Sequence, residues 1–160
     1  MHKHKHQFKE HQATDKHPFH FVWSGLPNVY LSGIEYGLCE CGMRQGFYPK
    51  PFQLADALTK LITQKKSRLT PLEIKYLRKS LKQDHKKFAR QIGVCVTQVS
   101  RWENGRSSPS NSTEKLIRLF AGANKENLGR IFDDASEKEF YLLEFEKKKW
   151  SAMGRGLNLL

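Results

Sequence analysis

The stretch from Asp84 to Gly105, DHKKFARQIGVCVTQVSRWENG, constrains this chain more than any other. Ala89 lies four positions before Gly93, and Val99 lies six after it. That spacing predicts two short helices meeting at a sharp angle. The small Ala89 lets the helices approach, Gly93 takes the turn, and Val94 with Val99 plugs the corner. Phe88, Ile92 and Trp102 complete the packed side. Val96, Thr97, Ser100 and Arg101 then face outward from the second helix. An ordinary helical hairpin would bury the same Val and Trp, so the angle alone does not specify a function.

The flanking sequence extends the helical reading. Thr70-Pro71-Leu72-Glu73 is a start signal: Thr70 caps, Pro71 suits the first helical position, and Glu73 completes a capping box. From there the chain reads as helices over 71–81, 84–92, 95–103 and 112–121, with a fifth near 126–134. Upstream, Pro51 opens a helix whose Leu54, Leu58, Leu61 and Ile62 form one stripe. Gln64 to Leu69 reads as a charged linker. Residues 19–48 read as short strands, with Phe19, Phe21 and Trp23 alternating before the Ser24–Asn28 turn signal. Residues 1–17 are polar, His/Lys-rich and aperiodic, and read as disordered. The aromatic tail fits both periods. Phe140, Leu143 and Trp150 share a helical face, whereas Tyr141, Leu143 and Phe145 alternate as in a strand, and either form could pack on its own domain or on a second protomer.

Charge is concentrated in one block. Residues 65–106 hold 12 Lys/Arg against 3 Asp/Glu, which accounts for most of the formal net charge of +12. Such clustering is the electrostatic footprint of a phosphate binder. A solvated surface face reads the same way, and charge does not separate DNA from RNA or an anionic membrane. No apolar run is long enough to span a bilayer and no secretory signal pattern is present, so a cytoplasmic setting with three reduced cysteines is expected. No phosphate loop, dinucleotide fingerprint or paired-carboxylate motif occurs, and Cys39 has no evident His/Asp partners for nucleophilic catalysis. The chain is not expected to be an enzyme.

The full string resembles the XRE (lambda and Cro-type repressor) helix-turn-helix family. Its core pattern is met here by Ala89, Gly93, Val94, Val99, Ser100, Trp102, Glu103 and Gly105, and the resemblance covers about residues 70–132. Cys95 departs from it, standing where the family has a capping Ser or Thr; Cys is a poor acceptor, and the cap should be weaker by about 1 kcal/mol. The resemblance implies a recognition helix in the major groove, with Val96, Thr97 and Arg101 on base edges. Arg101 would bind guanine O6 and N7, Thr97 would offer a hydroxyl or methyl, and Val96 would meet a thymine methyl. His85 and Lys86 before that helix, and Asn104 and Arg106 after it, would contact the DNA backbone. Arg78 and Glu103 would form a scaffold ion pair.

A second, partial resemblance covers residues 26–62. Asn28 to Ile34, then Cys39-Glu-Cys41-Gly42, then a helix, is similar to the later part of the zinc-binding domain of MqsA-type antitoxins, a partial resemblance to the MqsA/HigA-type antitoxins of type II toxin–antitoxin systems. The family has two C-x-x-C pairs, whereas this chain has one C-x-C. His17 and His20 would have to join Cys39 and Cys41 to hold zinc, and the spacing favours a degenerate, metal-free site packed by aromatics.

The expected fold class is therefore mainly α: a C-terminal five-helix lambda-repressor-like helix-turn-helix domain at 65–135, preceded by a small β-containing (α+β) domain at 19–64. Residues 1–18 are expected to be a disordered basic, His-rich tail, and 136–160 a second tail suited to a dimer contact. The expected function is a transcriptional repressor that binds double-stranded operator DNA as a homodimer, autoregulates its operon as an antitoxin, and holds a toxin through residues 19–64. A ligand- or metal-responsive repressor without a toxin is the first alternative, and a protein-interaction module the second. No cofactor and no membrane contact is expected.

Overall fold

Segments from opposite ends of the chain share one sheet. The computed structural model describes residues 5–122 and 139–157. In chain order these hold β1 (Phe8–Gln12), β2 (Phe19–His20), a short 3-10 turn (Val22–Ser24), β3 (Val29–Ser32), β4 (Glu35–Cys39) and β5 (Arg44–Gly46). Five helices follow: α1 (Pro51–Gln64), α2 (Pro71–Ser80), α3 (His85–Ile92), α4 (Val96–Glu103) and α5 (Asn111–Phe120). A hairpin, β6 (Glu139–Glu146) and β7 (Lys149–Leu157), closes the order.

The strands form two sheets, β1-β4-β5 and β2-β3-β6-β7. β3 pairs with β6 in parallel, Val29 opposite Tyr141 and Leu31 opposite Leu143, and all four side chains are fully buried. On this face α1 lays its stripe of Leu54, Leu58, Leu61 and Ile62. Trp150 of β7 anchors the helix start by donating from its indole N–H to the Pro49 carbonyl at 2.7 Å. Gly33 sits where β3 leaves the sheet, with φ +73°, and a Cβ there would lie 2.4 Å from the Phe145 carbonyl oxygen. Both its conformation and its space require glycine.

This architecture corrects the expectation of a mainly α chain ending in a five-helix domain. The helix-turn-helix lies in the middle of the chain, between strands, and the described residues hold seven strands in two sheets. The fifth helix expected near 126–134 lies outside the described residues. The physical reason is the open edge of β3. Val29 and Leu31 need a paired neighbour to bury their backbone, and the alternating Tyr141-Leu142-Leu143 supplies it.

The link from α1 to α2 is equally structural. Lys65, Ser67 and Leu69 are buried. Buried Arg118 donates to the Thr63 carbonyl at 3.2 Å, to the Ser67 carbonyl at 2.7 Å and also to the Lys65 carbonyl. Its carboxylate partner is Glu114 at 2.6 Å, one helical turn away, which accepts the Leu69 N–H at 2.9 Å. The charged linker expected from sequence is thus largely a segment of core, tied down by Arg118 and by its own Arg68, whose Nε lies 2.8 Å from Glu114 Oε2.

Candidate nucleic-acid interface

The corner between α3 and α4 forms from local chemistry. Asp84 caps α3 by accepting the Lys87 N–H at 2.7 Å, and this bond is the chief reason its carboxyl titrates below the ordinary range. α3 ends on Gly93 at φ +72°, after which the Val94 N–H returns to the Ala89 carbonyl at 3.0 Å. Only glycine enters that conformation without strain. Phe88, Ala89, Ile92, Val99 and Trp102 are all buried in the resulting corner. α4 starts at Cys95, whose φ of −79° and ψ of 152° are those of an N-cap. Gln98 Oε1 accepts the Cys95 N–H at 3.2 Å and lies 3.4 Å from its Sγ.

One ion pair holds α2 against the end of α4. Arg78 meets Glu103 in a two-pronged contact, Nε to Oε1 at 2.6 Å and Nη2 to Oε2 at 2.9 Å. A third guanidinium nitrogen donates to the Gln83 carbonyl at 2.8 Å. Burial pushes the Glu103 carboxyl upward, but hydrogen bonding and charge from Arg78, with a smaller contribution from His85, outweigh it and leave the carboxyl below its ordinary value. The same contact raises Arg78.

The residues expected to meet DNA divide into two groups. Val96, Thr97 and Arg101 stand exposed along α4, with Ser100 between them. Lys86 and Arg106 are also exposed at the two ends of the motif. His85 and Asn104 are engaged within the protein: His85 Nε2 lies 3.1 Å from Glu103 Oε2, and the Asn104 amide donates to the Ser100 carbonyl at 2.8 Å. Gln98, which sequence reasoning passed over, is exposed on the same helix. Its signal was its place three residues after the N-cap.

Charge is segregated around this surface. Of the acidic residues in 65–106, Glu73 and Glu103 point inward, and Asp84 caps α3. Lys82, Lys86, Lys87, Arg90, Arg101 and Arg106 are exposed. Elsewhere, His20 binds the Pro27 carbonyl at 2.8 Å and does not join Cys39 and Cys41; nor does His17. The residue beside those cysteines is His6.

Among the described residues, no helix is long and apolar enough to cross a membrane. No curated protein and no solved structure matches the chain. Residues 74–117, from within α2 to within α5, match the Helix-turn-helix family. The match begins at residue 74, beyond residues 26–62, and leaves the antitoxin resemblance without support. It supports an XRE-type helix-turn-helix in this part of the chain and, with it, a DNA-binding transcription regulator.

Proposed function

We propose that the protein is a sequence-specific repressor that reads operator DNA through α4. The observation that carries this reading is the charge segregation: the exposed face of the α3–α4 corner carries cations while its carboxylates are buried or engaged in capping. Arg101 reads a guanine edge, Thr97 and Val96 contact adjacent bases, and Lys86 and Arg106 neutralise phosphates. His85 and Asn104 reach the backbone only by loosening the contacts they make in the free protein. Reading a two-fold operator calls for a homodimer, with half-sites about one helical turn apart.

The test is fluorescence anisotropy of the full chain on duplexes tiled across the region upstream of its own gene. The expected result is one preferred segment, with affinity falling steeply as salt rises. Equal, salt-insensitive binding everywhere, or none, overturns the reading.

An antitoxin role is a second reading, favoured by one observation. Trp23, Phe47 and Phe52 are 76%, 80% and 84% exposed, all within the segment expected to meet a partner. Large exposed aromatics of this kind suit a protein interface. Co-purification of the neighbouring gene's product with the wild-type chain, lost in Trp23→Ala/Phe47→Ala, supports it. A product that does not co-purify removes it.

A further inference from the structure

We propose that His6, Cys39 and Cys41 bind a thiophilic metal ion, with Zn²⁺ the cation best matched to the set. One imidazole nitrogen and two sulfurs, one ligand atom per residue, lie within 4.8 Å of one another, and His6 Nδ1 is 3.3 Å from Cys41 Sγ. Zinc bonds of about 2.3 Å to sulfur and about 2.0–2.1 Å to nitrogen place tetrahedral S···S and S···N pairs about 3.8 and 3.5 Å apart. The cluster reaches that geometry by side-chain adjustments of about an ångström or less.

The backbone brings these residues together over a long sequence gap. β1 runs antiparallel to β4 with Phe8 opposite Cys39, so continuing the ladder outward brings His6 toward Cys41. The β4–β5 turn fixes both cysteines: the Cys39 N–H donates to the Met43 carbonyl at 2.9 Å, and the Gly42 N–H to the Cys39 carbonyl at 2.8 Å. Cys39 is buried, whereas Cys41 and His6 are exposed and give an ion an entry path.

The sheet also has a use for such a ligand. Every side chain of β1 is exposed, so hydrogen bonding to β4, rather than a core, holds the strand. A metal bound at its start would staple it to the hairpin. Binding deprotonates both thiols, releasing two protons to solvent and leaving two thiolates and a neutral imidazole on the cation. Three protein ligands leave one tetrahedral position open to water. This inference is independent of the DNA-binding reading.

The test uses the full chain, reduced and freed of metal, titrated with Co²⁺. The expected result is a thiolate-to-cobalt absorption band that saturates at one equivalent and is bleached by Zn²⁺. Cys41→Ser should weaken binding by at least about 100-fold, because even partners outside the ligand shell are worth about 10–100-fold. His6→Gln should weaken it by at least about 10-fold. Both residues are exposed, so circular dichroism should show the fold intact. Cys95→Ser, at an exposed thiol outside this cluster, should titrate as wild type. Absence of the band in the wild type, or wild-type titration by both Cys41→Ser and His6→Gln, overturns the proposal.

Discussion

Tyr141 donates its phenolic proton to Glu73 Oε1 at 2.5 Å, joining the C-terminal hairpin to the first turn of α2. The other carboxylate oxygen of Glu73 binds Lys65 Nζ at 2.8 Å and the Thr70 N–H at 2.7 Å. One buried carboxylate therefore caps a helix, neutralises a buried lysine and receives a strand. Tyr141→Phe should cost about 1–3 kcal/mol by leaving an acceptor short of a donor. For a chain of this length that is a fall in Tm of about 2–4 °C per kcal/mol. Thermal melts decide, and an unchanged Tm would mean that the phenol adds nothing to the joint.

Arg78→Ala and Glu103→Gln should each destabilise, by up to about 3–5 kcal/mol, since Glu103→Gln leaves buried Arg78 without its counter-charge and Arg78→Ala leaves Glu103 with His85 alone. The pH dependence has a definite sign. The folded Glu103 carboxyl lies below its unfolded value, so the pair's contribution is complete above about pH 4.3, the ordinary glutamate pKa. It is lost as pH falls through the lower, folded value. Urea titrations of wild type and Glu103→Gln should show a gap in stability that is constant near neutrality and closes in acid; a gap that widens in acid would contradict this.

Arg101→Ala should lose discrimination at one base position, by about 1–3 kcal/mol, while general affinity falls less. Binding to operator duplexes with single-base changes measures it. Equal losses on every sequence would reassign Arg101 to a phosphate.

Cys95→Ser should stabilise the protein by about 1 kcal/mol. Cys95 already has N-cap geometry, and a hydroxyl there is a better side-chain acceptor than sulfur for the Gln98 N–H, which otherwise reaches only the Cys95 carbonyl at 3.0 Å. A lower or unchanged melting temperature would show that the Gln98 side chain already satisfies this helix start.

A fragment beginning at Lys65 keeps the cationic surface but loses α1 and β3. It removes the parallel partner of β6 and the Thr63 carbonyl that Arg118 binds. Circular dichroism should show such a fragment largely unfolded at a temperature where the full chain is folded. A cooperative melt close to that of the full chain would show that the sheet is dispensable.

What the sequence disclosed follows the range of the interactions. α1 to α5 were legible because Leu54-Leu58-Ile62, the Thr70–Glu73 box and the Ala89–Gly93–Val99 corner act within a few residues of one another. The β3–β6 pairing was not, because nothing near Val29 specifies Tyr141. The aromatic tail fitted two periods until β3 selected one. Lys65 read as part of a charged linker, since burial of a cation depends on acids and carbonyls placed by the tertiary fold. His6 lay in a tail set aside as structureless, although its spatial neighbours are both cysteines of the C-x-C.

The parallel β3–β6 pairing imposes an order of events on synthesis. β3 leaves the ribosome with β2 to pair on one edge but nothing on the other, and the strand that covers that second edge follows roughly a hundred residues later. At about 5–20 residues per second, that interval is on the order of 10 s. Throughout it, an apolar strand edge stays open to other nascent chains. A ribosome that stalls before β6 leaves a product whose β3 edge is unpaired, the kind of edge that recruits strands from other chains. The closing hairpin thus determines whether a finished molecule can be told from an incomplete one.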